Sequence, residues 1–462
     1  MKQKKKAPVE KGQILQLDID NINHDGEGVG RYQNFTVFVP GAVPGETVAA
    51  KVISVQKSYA RALLQSVNKS SPARISPVCE HYETCGGCQL QHLAYAQQLK
   101  LKEDIVRDTL KRIGGLEPSV RPTIGMSDPW RYRNKAQVPV GFTDGTVRAG
   151  FYAKRSHNIV DLTCCHIQHP ANDHVVHTVR SILSELAIPI YNEKTRKGII
   201  RHIMARVSFA TGEVLIILIT NGRSLPRQDE LISRLRKSIE NLCGIVQNIN
   251  TRPGNIILGN TEHTLWGKPY LTEKLSGLTF HISPRSFFQV NPVQTEVLYS
   301  KAKEFAALTG TETVFDLYCG IGTISLYLAE SAGKVIGVES VPAAVSDARH
   351  NAELNHVKNA EFHAGLAEEV VLRLFKEGCR ADVVVVDPPR KGCDEALLAT
   401  MVNMNPNRIV YISCNPATLA RDLKYLAAHG FHLVEVQPVD MFPHTAHVEC
   451  VVLMSRTEKY SV

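Results

Sequence analysis

No apolar run in this chain is long enough to cross a membrane. The most apolar stretches, such as VLIILI at 214–219, have the length of a strand, whereas a spanning helix needs about 20 apolar residues. No secretory leader is expected, because the opening MKQKKKAPVEKG has no apolar segment behind its lysines. Neither sign of charge dominates. Lys and Arg number 53 against 45 Asp and Glu, a net +8, which permits a polyanionic partner without requiring one. Two common nucleotide signatures are absent: no glycine turn leads into GK[ST], and no GxGxxG opens a dinucleotide helix. There are no internal repeats. The eleven cysteines, in a chain without a leader, point to thiols or a metal centre in a reducing, cytoplasmic setting. They do not suggest a disulfide scaffold.

At 462 residues the chain exceeds what one hydrophobic core comfortably serves, so two or three domains are expected. Residues 1–6 carry four lysines and are expected to be disordered. Residues 10–66 show short alternating runs (ILQLDI, FTVFVP, TVAAKVISV) broken by Gly, Pro, Asn and Asp, the pattern of a small β-barrel. A helix predicted after the cysteines at 79–88 ends at Gly114-Gly115. Strand-like runs then continue to about 280, with helices at about 172–186 and 226–241, which makes an α+β region. From Asn291-Pro292 onward, strands and helices alternate, and runs such as DVVVV suit a parallel sheet buried on both faces. The expected units are a barrel at 8–66, a central α+β region at 67–285 and a Rossmann-like α/β domain at 286–462.

The segment VFDLYCGIGT at 314–323 reads as a strand, a glycine turn and a helix start. Gly320, Gly322 and Thr323 lie where an open α/β sheet receives its ligand. One unit later VIGVE ends on Glu339, a carboxylate placed to accept ribose hydroxyls. Together they predict a nucleoside cofactor. Asp387, in DPPR, follows another buried strand and borders the same edge.

The run RIVYISCNP ends the next strand on Cys414, with Pro416 at the first turn of a helix over 417–428. That position favours a thiolate, because a helix N-terminus lowers a thiol pKa. Glu449 is the candidate general base, since a carboxylate within the apolar AHVECVV costs free energy unless it has a partner or a task. His447 shares the role or shapes the pocket. Cys79, Cys85 and Cys88 have the spacing C-x5-C-x2-C around Gly86-Gly87, and Cys164-Cys165 follow far along the chain. Four thiolates suit zinc or a [4Fe–4S] cluster, and spacing leaves that choice open. WRYRNK at 130–135 interleaves aromatic and basic residues, a pattern equally fit to bind RNA or to be a solvated face.

The motifs DLYCGIGT, DPPRKG, YISCNPATLARDL and HVEC together resemble those of the RNA uracil-C5 methyltransferases, in the branch acting on 23S ribosomal RNA. This resemblance covers nearly the whole chain. It implies a TRAM-type RNA-binding barrel, an S-adenosylmethionine-dependent catalytic domain and a [4Fe–4S] cluster held by Cys79, Cys85, Cys88 and Cys165. It also implies Cys414 as nucleophile, Glu449 as base, and Gln289, Tyr318, Glu339 and Asp387 at the cofactor. Where the family often offers adenine a polar side chain, this chain has Leu366 and Ala367, so that contact is expected from backbone. The chemistry fits a thiolate. Carbon 5 of uracil is a poor nucleophile until a thiolate adds to carbon 6, and a base must then remove the carbon 5 proton. The expectation is therefore a monomeric enzyme with 23S ribosomal RNA as partner and no membrane association. The alternatives are the same reaction on transfer RNA, a non-catalytic RNA-binding protein and a DNA cytosine-C5 methyltransferase. The last would carry its nucleophile in a Pro-Cys motif, whereas here Ile412-Ser413 precedes it.

Overall fold

The structure, a computed structural model, describes residues 7–456. The lysine-rich run at 1–6 lies outside the described residues. Strands β1 (Ile14–Ile22), β2 (Glu27–Tyr32), β3 (Phe35–Pro40), β4 (Thr47–Val55) and β5 (Tyr59–Lys69) close into a barrel in the order β1-β2-β3-β5-β4. Alternation in β1 turns Leu15, Leu17 and Ile19 inward, where they meet Val37, Val39, Val48 and Val52. At Gly30 a Cβ would come within 2.9 Å of the Asp18 carbonyl, so the tight crossing of β1 and β2 excludes any larger residue there.

Helix α1 (Tyr95–Thr109) runs into a π-turn at 110–114 and stops at Gly115, whose φ of +65° suits glycine. Then come β6 (Lys135–Thr143), β7 (Thr146–Tyr152), β8 (Ile159–Asp161), α2 (Pro170–Glu185), β9 (Ile200–Val207), β10 (Val214–Thr220), α3 (Gln228–Ser238), β11 (Leu242–Ile249) and β12 (Thr261–Gly267). The strands form one sheet in the order β12-β11-β10-β9-β6-β7-β8. VLIILIT lacks polar alternation because both its faces are covered. Ile216 and Leu218 pack with Val179 and Leu231 of α2 and α3. Leu215, Ile217 and Ile219 belong to the core that also holds Phe280 and Leu298.

The hairpin β13 (Leu271–Leu275) and β14 (Leu278–Ile282) precedes α4 (Pro292–Ala306), which Asn291 caps by accepting the Gln294 amide at 3.2 Å. The remaining elements are β15 (Thr313–Leu317), α5 (Thr323–Ala329), β16 (Lys334–Glu339), α6 (Pro342–Leu354), β17 (Ala360–Ala364), α7 (Ala367–Lys376), β18 (Val383–Val386), α8 (Glu395–Met404), β19 (Arg408–Ser413), α9 (Pro416–Ala428), β20 (Phe431–Val439) and β21 (Glu449–Arg456). They build a seven-stranded sheet in the order β17-β16-β15-β18-β19-β21-β20. β21 lies antiparallel between β19 and β20, and the other pairings are parallel. Helices α4–α6 cover one face; α7–α9 and the end of α1 cover the other. This is a Rossmann-like α/β domain with an N-terminal barrel and a central α+β region. Strand order reverses between β15 and β18, which opens the crevice where such sheets bind ligands. Among the described residues no helix is long and apolar enough to cross a membrane.

Candidate active site

Beyond β15 the chain turns through Tyr318 at φ +69° and Gly320 at φ +56° before Gly322 caps α5. A side chain at Gly320 would meet nothing within 4 Å, so the glycine leaves its backbone open to a ligand. The Gly320 amide donates to Glu339 Oε2 at 3.2 Å, and the Ser340 hydroxyl and Val341 amide donate to Oε1 at 3.0 and 2.8 Å. These bonds fix the carboxylate at the end of β16. Thr323 stands behind this wall, with its hydroxyl against Tyr299 at 2.9 Å, and Gly322 serves the helix start. Neither lines the cavity.

The antiparallel register pairs Ser413 of β19 with Cys450 of β21. One step toward the sheet edge, the chain therefore brings Cys414 and Glu449 together from neighbouring strands. Asn415 caps α9 by accepting the Ala417 amide at 3.0 Å, and Pro416 occupies the first turn. The thiol differs from expectation. Burial pushes Cys414 up to about 11, the Glu449 and Asp387 carboxylates push the same way, and Arg390 opposes them. Desolvation and two like-charged neighbours outweigh the helix N-terminus. Glu449 is only 4% exposed. Burial first, then Asp387, raises it well above the usual carboxylate range, again against Arg390. Burial lifts Asp387 to about 6.

One cavity of about 830 Å³ joins these groups, and its lining includes Gln289, Tyr318, Gly320, Glu339, Asp387, Cys414 and Glu449. That volume lies within the roughly 300–1,000 Å³ of small-molecule sites. Gln289 is buried, yet among the described residues its side-chain amide has no partner; only its backbone carbonyl does, accepting from Asn134 at 3.1 Å. An unpaired amide, a fixed carboxylate and an open glycine backbone fit a nucleoside bearing an amino-acid tail, as S-adenosylmethionine does. Leu366 and Ala367 supply an apolar stretch of the wall.

The cysteine segment departs from the expected cluster. Cys79, Cys85, Cys88 and Cys165 line the far part of the same cavity. Among the described residues, however, no group of three or more Cys, His, Asp or Glu side chains is arranged to hold a metal ion. Cys85 Sγ instead accepts the Gly87 amide at 3.4 Å. Burial drives Cys88 to about 11 and Cys165 to about 12. The [4Fe–4S] assignment to these residues is thereby corrected, and zinc fares no better.

The aromatic and basic residues of 130–135 turn mostly inward. Trp130 stacks on His444 at 3.7 Å, the buried Tyr132 donates to the Pro443 carbonyl at 3.0 Å, and Arg131 binds Asp173 at 3.0 Å and the Cys165 carbonyl at 2.8 Å. Arg133 does line the cavity. Sequence reasoning missed Arg390, the cation that opposes the upward shifts of Cys414 and Glu449 and adds to the downward shift of His447. Its signal was the arginine directly after the two prolines of DPPR.

A family model described as tRNA (uracil-5-)-methyltransferase matches residues 94–457. The chain belongs to this family. A TRAM-domain model matches residues 8–64, within which the barrel begins. An uncharacterized RNA methyltransferase of Halalkalibacterium halodurans is 50% identical over 98% of this chain and 99% of its own length. One from Clostridium tetani is 47% identical over 98% of both. Among solved structures, the tRNA (uracil-54, C5)-methyltransferase of Pyrococcus abyssi, in complex with S-adenosyl-L-homocysteine, matches with a TM-score of 0.75. It is 30% identical and covers 95% of this chain and 100% of that one. As a member of the tRNA (uracil-5-)-methyltransferase family, the protein is an S-adenosylmethionine-dependent RNA methyltransferase acting at carbon 5 of uracil. The expected place in the 23S ribosomal RNA branch, with that RNA as partner, is corrected. Both the family model and the solved relative are of transfer-RNA enzymes.

Proposed function

We propose that this enzyme methylates carbon 5 of a uridine in transfer RNA, with Cys414 as nucleophile and Glu449 as base. The observation that carries the chemistry is the β19–β21 register, which delivers both groups to one cavity beside Asp387. The substrate class rests on the likeness to the Pyrococcus abyssi enzyme. Gln289, Tyr318, Gly320, Glu339 and Asp387 would hold S-adenosylmethionine, which supplies an electrophilic methyl group when bound. Cys414 gives its proton to Asp387, and its sulfur bonds to carbon 6 of the base while the C5–C6 π electrons move onto the uracil O4. The enolate so formed takes the methyl at carbon 5. Glu449 then removes the carbon 5 proton. The electron pair restores the C5–C6 double bond and breaks the S–C6 bond, and the thiolate recovers its proton from Asp387. A raised pKa makes Glu449 a stronger base, but only its ionised fraction acts. Turnover is therefore expected to rise from weakly acidic toward alkaline pH.

Mass mapping of RNA from cells lacking the gene tests the substrate. A methyl missing from a transfer-RNA uridine is expected; an intact transfer-RNA map would reject the assignment. Glu449→Gln is expected to accumulate the covalent enzyme–RNA adduct, with turnover lower by about 10²–10⁴-fold. A variant that turns over normally would remove Glu449 as base.

A further inference from the structure

The loop at 440–447 joins β20 to β21 and ends two residues before Glu449. Groups from elsewhere in the chain take its backbone carbonyls one after another. Gln294 Nε2 donates to Asp440 O, and Asn291 Nδ2 to Met441 O, each at 3.1 Å. Lys102 Nζ donates to Phe442 O at 3.1 Å, and the Tyr132 hydroxyl to Pro443 O at 3.0 Å. His444 O receives the Gln89 and Leu90 amides at 3.0 and 2.9 Å. His444 itself sits at φ +67°, a conformation a non-glycine residue keeps only when its surroundings impose it.

An ion pair is buried at the root of this loop. Lys102 Nζ lies 2.5 Å from Asp440 Oδ1, and both side chains are 0% exposed. Tyr95 donates to the other carboxylate oxygen at 2.9 Å. Such a pair is a poor source of stability, because desolvation consumes most of the Coulomb attraction. What it supplies is a fixed point. Lys102 lies on α1, and the end of that helix (Val106, Leu110) packs with Leu419, Ala420 and Leu423 of α9, the helix that starts just after Cys414. One rigid unit thus references both Cys414 and the approach to Glu449.

We propose that Lys102 is a positioning residue for proton removal. By binding the Asp440 carboxylate and the Phe442 carbonyl together, it holds the 440–447 loop, and with it Glu449, in register with Cys414. This rests on Glu449 being the base. Loss of the contact would let the carboxylate drift, and a misplacement of about 1 Å costs on the order of 100-fold in rate. Addition and methyl transfer do not require the Glu449 carboxylate and would continue, so the covalent adduct would build up.

The test uses the full-length enzyme, S-adenosylmethionine and a transfer-RNA transcript. Lys102→Met with Asp440→Asn removes both charges and so avoids leaving one buried alone. The expected result is a kcat about 10–100-fold lower, a KM for RNA within about threefold, unchanged S-adenosylhomocysteine binding and adduct visible at steady state. Should that variant not fold, Asp440→Asn alone, which keeps Lys102 on the Phe442 carbonyl, is expected to show a smaller fall in kcat with adduct still raised. A fall in kcat without adduct, or unchanged kinetics, overturns the proposal. Glu449→Gln run alongside separates the two ideas. If it forms no adduct, the assignment of Glu449 fails; if it does and the Lys102 variants do not, only the positioning role fails.

Discussion

Two sets of thiols line one cavity, and they differ in what surrounds them. Cys79, Cys85, Cys88 and Cys165 sit in the central region among Tyr82, Phe151, Leu162 and Ile167, and Cys414 sits at the sheet edge with Asp387, Arg390 and Glu449. Burial pushes both Cys88 and Cys414 to about 11, so acidity does not distinguish them. On the proposed mechanism, reactivity at Cys414 would come from its companions, namely carboxyls to take protons and a cation to favour the thiolate. A conspicuous spacing such as CGGC marks a local fold of the backbone, and chemistry needs convergence from several strands.

The comparison breaks most sharply at Cys414. Cys414→Ala is expected to lower methylation at least about 10³-fold and to abolish adduct formation with 5-fluorouridine RNA on denaturing gels, while cofactor binding persists. A variant that still traps this RNA would move the nucleophile elsewhere. A second contrast lies in titration. Alkylation of Cys414 by iodoacetamide, followed by peptide mass mapping, should be slow at pH 7 and climb about tenfold per pH unit toward pH 10, as thiolate forms. Asp387→Asn deletes a like charge, so the thiol pKa falls and alkylation at pH 8 quickens by a few-fold to about tenfold. Arg390→Gln should do the reverse. An unchanged rate in both variants would show that burial alone sets the thiol. The smallest effect is expected at the other end of the cavity. Cys88→Ser should leave kcat within about threefold and lower stability by about 1 kcal/mol, read from methyl transfer and thermal melts. A complete loss of methyl transfer would make the two sets of thiols equivalent.

Features whose cause is local were legible in the sequence. Alternation in ILQLDI announces the barrel, DLYCGIG the glycine turn after β15, and the lone carboxylate of AHVECVV an ionisable group within a buried strand. Features whose cause lies far along the chain were not. Nothing near Lys102 signals Asp440, 338 positions away, and nothing in WRYRNK says that Trp130 and Tyr132 face His444 and Pro443 instead of RNA. The thiol pKa of Cys414 escaped for the same reason. A helix start is visible in CNP, whereas the opposing carboxylates arrive from β18 and β21. Whether cysteines converge on a metal, and which RNA is delivered, are likewise properties of assembled surfaces.

The two-sided burial of β10 bears on how the protein is made. Ile216 and Leu218 find cover on α2, already synthesised, and on α3 soon after, but Leu215, Ile217 and Ile219 wait for Phe280 and Leu298. During translation the central sheet therefore emerges with one greasy face uncovered until α4 leaves the ribosome. A truncation between residues 220 and 290 would leave that face without its cover.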